Sequence, residues 1–216
     1  MNTRRFLLVL LLPALLLVGC IASDEPPGGG TPPPPPHSVL INGVTWATRN
    51  VDAPGTFAAN PENYGMFYQW NHKTGWSSTG PLTSSPPDAI WDTSTPTSDK
   101  WSASNDPCPV GWRVPAIEEL AKLLETANVS RVWATEGTTN GYRFTDKTSG
   151  STVFFPAAGY RNATDGMLYD AGSYGLYWSS SPYSTGISWS LNFGSTVAYQ
   201  NNYYRNLGFS VRCVIQ

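Results

Sequence analysis

The C-terminal third of the chain changes character at every second residue. Ile187, Trp189, Leu191 and Phe193 alternate with Ser188, Ser190 and Asn192. A period of two is the signature of a β-strand, with one set facing a core and the other facing out. Gly194-Ser195 then turns the chain into a further strand over 196–200. The last strand repeats the alternation: Phe209, Val211, Cys213 and Ile215 face one way, and Ser210, Arg212 and Val214 the other. Two hairpins extend the β pattern upstream. Asn42-Gly43 joins Val39-Leu40-Ile41 to Val44-Thr45-Trp46, the dipeptide suited to a type I′ turn with two positive φ angles. A turn over Lys147 to Gly150 joins Tyr142–Thr145 to Thr152–Phe155. One helical signal stands among them, from Pro115 to about Ala127. Its stripe is Ile117, Leu120, Ala121 and Leu124, with Glu118 and Glu119 near the positive end of the dipole.

Composition narrows the class further. Only 13% of residues are charged, while 13% are aromatic, including 9 Trp and 11 Tyr. This mixture excludes a coiled coil, a helix bundle and a charged disordered tail, and suits a loop-rich fold that uses rings in core and surface alike. Lys and Arg number 13 against 15 Asp and Glu, with no basic run. Nucleic acid is therefore excluded as a partner held by phosphate neutralisation.

The first twenty residues carry an address. Arg4 and Arg5 precede an apolar run from Phe6 to Val18, broken only by Pro13. The run is short for a membrane span and fits a signal peptide over residues 1–19. It ends in Leu17-Val18-Gly19-Cys20, which resembles a bacterial lipobox with Cys20 as the lipidated residue. The alternative is a plain signal peptide followed by a chance Cys. A lipid-bearing Cys20 implies a membrane partner through several acyl chains. The acidic start at Asp24-Glu25 resembles the surface-export signal of Bacteroidetes lipoproteins. That places the domain on the outer membrane of a Gram-negative bacterium, facing the exterior. Residues 20–37 are the lipidated Cys and a Pro/Gly-rich spacer, with five consecutive prolines at 32–36. As polyproline II this spacer holds the following domain, residues 38–216, up to roughly 50 Å from the bilayer.

With Cys20 assigned to lipid, Cys108 and Cys213 remain. In an exported chain an even pair reads as a disulfide, here closing a loop of about 105 residues. No metal or other cofactor is expected, because neither His37 nor His72 has a ligand-spaced Cys or His beside it. Residues 71–107 are rich in Ser, Thr, Pro and Gly. A segment that long with little periodicity is either functional or a decorative loop. Trp101 is read as a pin to the core, and Trp76 and Trp91 as candidate rings for a ligand. The run Tyr199-Gln200-Asn201-Asn202-Tyr203-Tyr204-Arg205-Asn206 has the make-up of a binding surface, with tyrosine area and adaptable amides. Tyr199, Asn201, Asn202, Tyr203, Tyr204 and Arg205 are its candidate ligand contacts. The alternative is a turn at Asn201-Asn202 with partly buried tyrosines.

An ordered set of motifs resembles one family. It comprises Thr45-Trp46-Ala47-Thr48-Arg49-Asn50-Val51, Tyr64-Gly65-Met66-Phe67-Tyr68-Gln69-Trp70, Cys108-Pro109-Val110-Gly111-Trp112-Arg113-Val114-Pro115, Phe155-Pro156-Ala157-Ala158-Gly159-Tyr160-Arg161, Tyr177-Trp178-Ser179-Ser180 and Gly208-Phe209-Ser210-Val211-Arg212-Cys213-Val214. Together they are similar to the Fibrobacter succinogenes major paralogous (FISUMP) domain over about residues 40–215. A looser similarity links Gly-Trp-Arg-Val-Pro and the closing strand to the formylglycine-generating group. That similarity implies an α+β, C-type-lectin-like fold: a small twisted mixed or antiparallel sheet with one or two helices and long loops. Ala116 departs from the Ser or Thr cap usual after the motif proline. The implied function is a non-catalytic, surface-exposed binding or adhesion module for a glycan or a surface protein, acting through ring-rich loops. One alternative is a structural subunit of a fimbria-like assembly. Another is an enzyme of formylglycine-generating type, disfavoured because that chemistry needs two free cysteines.

Overall fold

The computed structural model describes residues 35–216. The expected signal peptide, Cys20 and most of the Pro/Gly-rich spacer lie outside the described residues. The first half is built of short strands: β1 Ser38–Ile41, β2 Val44–Ala47, β3 Phe67–Gln69, β4 Gly75–Trp76, β5 Ser84–Ser85 and β6 Trp112–Arg113. A helix, α1 Ile117–Lys122, follows. Longer strands come next: β7 Val129–Glu136, β8 Thr139–Asp146 and β9 Thr152–Pro156. The remainder is β10 Tyr160–Arg161, β11 Leu168–Tyr169, β12 Gly175–Ser184, β13 Ile187–Phe193, β14 Ala198–Tyr204, β15 Gly208–Ser210 and β16 Val214–Ile215.

These strands form three sheets. One has the order β1-β2-β16-β6, and one has the order β7-β8-β9. The largest runs β14-β13-β12-β15-β3-β4-β5, with β10 and β11 attached at β15. Pairing is antiparallel except for β12 with β15. Strand accounts for 41% of the described residues and helix for 5%, with one α-helix. This corrects the α+β, lectin-like expectation: the domain is nearly all β. The helical stripe was misjudged in length. Asn42 of the β1–β2 turn donates to the Lys122 carbonyl at 2.9 Å and to the Glu125 carboxylate at 2.8 Å. That contact closes α1 at Lys122, and residues 123–128 turn into β7.

Both expected hairpins are present. Asn42 and Gly43 have φ of 46° and 80°, with Ile41 opposite Val44. Tyr142 pairs with Phe155 and Thr145 with Thr152. The Cys108–Cys213 disulfide is also present, across 105 positions of sequence. It anchors the residues just before β6 beside β16. The Asp106 carboxylate fastens the same corner, accepting from the Cys108 and Val114 amides at 2.9 and 3.0 Å.

The core lies on both faces of the large sheet. On one face Tyr177, Leu191, Phe193 and Ala198 pack under α1 and the β7-β8-β9 sheet. On the other, Trp70, Leu176, Trp178 and Phe209 form a second cluster. The alternation of β13 therefore does not separate core from solvent. Ser188, Ser190 and Asn192 are buried, facing the second cluster. The closing run behaves the same way: it pairs with β3 and β12 as β15, leaves the sheet, and joins β2 and β6 as β16. Arg212 is buried within it, donating to Asn50 Oδ1, the Ala47 carbonyl and the Phe154 carbonyl while lying over the Phe155 ring.

Buried arginines also order the long 71–107 segment. Arg205 donates to Ser188 Oγ and to the carbonyls of Pro96, Ser98 and Ser184, with its guanidinium 4.0 Å over the Trp70 ring. Arg161 donates to the carbonyls of Ser77 and Gly166, each at 2.7 Å. Carbonyls that a loop would otherwise leave unpaired are thus satisfied by charged donors, which form the stronger bonds. Among the described residues no helix is long and apolar enough to cross a membrane.

Candidate functional site

A pocket of about 260 Å³ opens on the second face of the large sheet. Its floor is Phe209, stacked 4.1 Å from Trp178, whose indole nitrogen is fixed on the Tyr68 carbonyl at 2.8 Å. Two walls stand on that floor. Tyr160 meets Phe209 edge-on at 6.2 Å and 83°, and Tyr203 does so at 5.4 Å and 80°. Tyr174 and Tyr199 complete the ring lining, with Leu176 and Leu207 below. Asn162, Asn192 and Asp170 supply its polar edge.

The register of β13 and β14 explains the grouping. Asn192 lies opposite Tyr199, Ser190 opposite Asn201 and Ser188 opposite Tyr203. These six share one face. Asn192 and Asn201 both donate to the Tyr203 hydroxyl, at 3.0 and 3.2 Å, and Ser190 donates to Asn192 Oδ1 at 2.8 Å. The Tyr203 oxygen thus has its lone pairs occupied, and its own proton is left to donate to a guest. Burial raises the ionisation point of Tyr203, as do neighbouring Tyr199 and Tyr174, so the hydroxyl stays a donor. Burial also raises that of Tyr160, followed by the Asp170 charge, Tyr169 and Tyr203. The four tyrosines and Asp170 all line this one space.

The opposite wall is set by the backbone. Gly159 has φ +75°, and a Cβ there would collide with the Tyr169 carbonyl and the Asp170–Ala171 peptide. Only glycine lets β10 approach that turn. The turn is bound back by Gly159 N–H to the Tyr174 carbonyl and Gly172 N–H to the Ala157 carbonyl, both at 2.7 Å. Asp170, at φ 57°, accepts from the Ser173 and Tyr174 amides through its own carbonyl.

The residues singled out by sequence divide sharply. Tyr199, Asn201 and Tyr203 belong to the pocket face. Asn202 and Tyr204 alternate onto the opposite face, the one on which Gln200 donates to the Ile117 carbonyl of α1. Arg205 is 1% exposed and structural. Trp76 and Trp91 are largely buried against one another, ring centres 5.1 Å apart; Trp76 borders a separate groove of about 280 Å³, and neither ring lines the tyrosine pocket. Trp101 packs on Trp70 at 5.4 Å, as a loop pin would. The 199–204 run is neither a loop nor a turn at Asn201-Asn202. It is the edge strand β14, and segment 71–107 does not line the pocket.

Sequence reading missed Tyr160, Asn162, Asp170, Tyr174, Asn192 and Phe209. One signal was available: the polar positions of β13, assigned to solvent, include Asn192. Three other surface grooves are larger, at about 370, 480 and 280 Å³. The first is an open trough of small and acidic residues with one ring, Tyr64. The second surrounds the disulfide corner, where Asp106 and Arg113 are already engaged. None of the three is lined by more than two aromatic rings, whereas five line the tyrosine pocket. No set of three His, Cys, Asp or Glu side chains suitable for a metal occurs among the described residues.

Fold and pocket together define a nearly all-β domain closed by one disulfide, with a tyrosine-walled cleft on its largest sheet. The family model of the Fibrobacter succinogenes major domain matches residues 47–215, which include both bonded cysteines and the whole pocket, and the chain belongs to that family. No curated protein and no solved structure matches it.

Proposed function

We propose that this domain is a non-catalytic binding module, held at the cell surface by a lipid on Cys20, and that its tyrosine pocket takes a saccharide ring. The observation that carries this reading is the Tyr203 hydroxyl, presented as a donor by two amides between ring walls. Sugars offer apolar ring faces and acceptor hydroxyls at once, and a site of rigid aromatics with a few fixed polar groups matches both. The volume suits one ring. Support for a non-catalytic role comes from the bonded state of Cys108 and Cys213, which leaves oxidative cysteine chemistry without thiols.

A glycan array probed with the full chain in detergent tests the reading. At least one saccharide class is expected to bind, and Tyr203→Ala is expected to abolish that signal. Tyr203→Phe keeps the wall but removes one hydrogen bond, worth about 1 kcal/mol, and should weaken binding about fivefold. An array that stays blank, or binding indifferent to Tyr203→Ala, contradicts it. A blank array would favour a second reading, a structural subunit of a surface assembly. That reading is supported by β14, which ends the strand order of the largest sheet and leaves an edge for strand addition.

A further inference from the structure

Resting on the saccharide reading of the tyrosine pocket, we propose that its preferred ligand is an amino sugar, with a protonated amine held against the ring faces and paired with Asp170.

The pocket's charge carries this inference. Asp170 is the one charged side chain in its lining. Among the described residues its carboxylate accepts no hydrogen bond, and it takes part in none of the four ion pairs present. Four tyrosines in the lining add electron-rich rings, whose faces attract ammonium groups. No Lys or Arg side chain lines the space, so nothing there would neutralise a carboxylate on an acidic sugar. The nearby guanidinium of Arg161 is spent on the Ser77 and Gly166 carbonyls. Backbone bonds to Ala157 and Gly159 tie the turn from Asp170 to Tyr174, which holds the Asp170 main chain at the pocket's edge. Rings already packed on Phe209 lose little ordering entropy when a cation arrives.

The test compares three short oligosaccharides by calorimetry, using the full chain in detergent at mildly acidic pH: oligoglucosamine, its N-acetylated form and oligogalacturonate. The expected order is amine, then acetamide, then carboxylate, with about a fivefold preference of amine over acetamide, as suits a partly solvated ion pair plus a cation–π contact. The preference should shrink as salt is raised. Asp170→Asn should abolish that preference. If the wild-type chain binds the N-acetylated or the acidic sugar as tightly as the amine, the inference fails. It fails too if Asp170→Asn keeps the preference. In both cases binding lost in Tyr203→Ala would leave the saccharide reading standing. If none of the three binds while another saccharide on the array does, the inference fails and the saccharide reading stands; if the array is blank as well, both fall.

Discussion

At the scale of single residues, the site depends on one position without a side chain. Gly159 sits where any Cβ would strike the backbone of Tyr169 to Ala171. Its positive φ adds a strain of about 1–3 kcal/mol for other residues. Gly159→Ala is therefore expected to cost at least that much stability in urea unfolding, and to separate the Asp170 wall from Tyr160. An unchanged unfolding midpoint would show that the turn yields freely and that the pocket wall is not fixed. This glycine was visible in the sequence inside Phe155–Arg161, but its reason was not. The collision is with residues ten or more positions later, and nothing local announces it. Asn192 was hidden for a different reason. A polar residue alternating with apolar ones reads as solvent-facing, and only the second layer of rings reveals that this polar face is covered.

Elements were legible where their causes are local. The Asn42-Gly43 turn and the β8–β9 hairpin follow from turn chemistry and alternation within a few residues. Helix α1 was legible in position but not in length. Its ends are set by distant groups: Asn42 at the C-terminus, and at the N-terminus Ser181, whose hydroxyl accepts from the Ile117 amide at 3.0 Å. That contact, together with Glu119 accepting from the Ala116 amide at 2.8 Å, replaces the missing Ser or Thr cap. Glu119 also receives Arg113 through two bonds of 2.7 Å. Burial alone would raise its ionisation point, yet the bonds from Arg113 and Ala116 and the Arg113 charge hold it below the ordinary 4.5. Glu119 therefore stabilises the fold fully above the unfolded value, and this contribution is lost as pH falls through the lower folded value. Glu119→Gln should lower stability at neutral pH and flatten the acid limb of a stability profile measured by urea unfolding. An acid limb identical to wild type would place the effect elsewhere.

Across the whole molecule, one covalent bond and three buried guanidiniums join segments that have little regular structure of their own. The disulfide was legible because an even pair of cysteines, in a chain expected to be exported, reads as a bridge. The guanidinium clamps were not, since an arginine in a sequence is first a surface charge. The 105-residue separation of Cys108 and Cys213 makes the bond's contribution large, about 4–5 kcal/mol by loop entropy. Replacing both cysteines by Ala should reduce unfolding free energy by that order. A loss below about 1 kcal/mol would show that the clamps and core suffice without it. The lectin-like architecture failed at this scale because motifs report local turns, whereas sheet order is set by long-range pairing such as β15 with β3.

The central claim is that the tyrosine pocket receives the ligand. The chain has 11 tyrosines, and only four of them line that pocket. Tyrosine-selective isotope labelling therefore reads the site directly when a bound saccharide is titrated by NMR. Shifts at Tyr160, Tyr174, Tyr199 and Tyr203, with Tyr64 and Tyr183 unmoved, are the expected result. Shifts centred on Tyr64 or Tyr183, with the four pocket rings silent, would contradict the account.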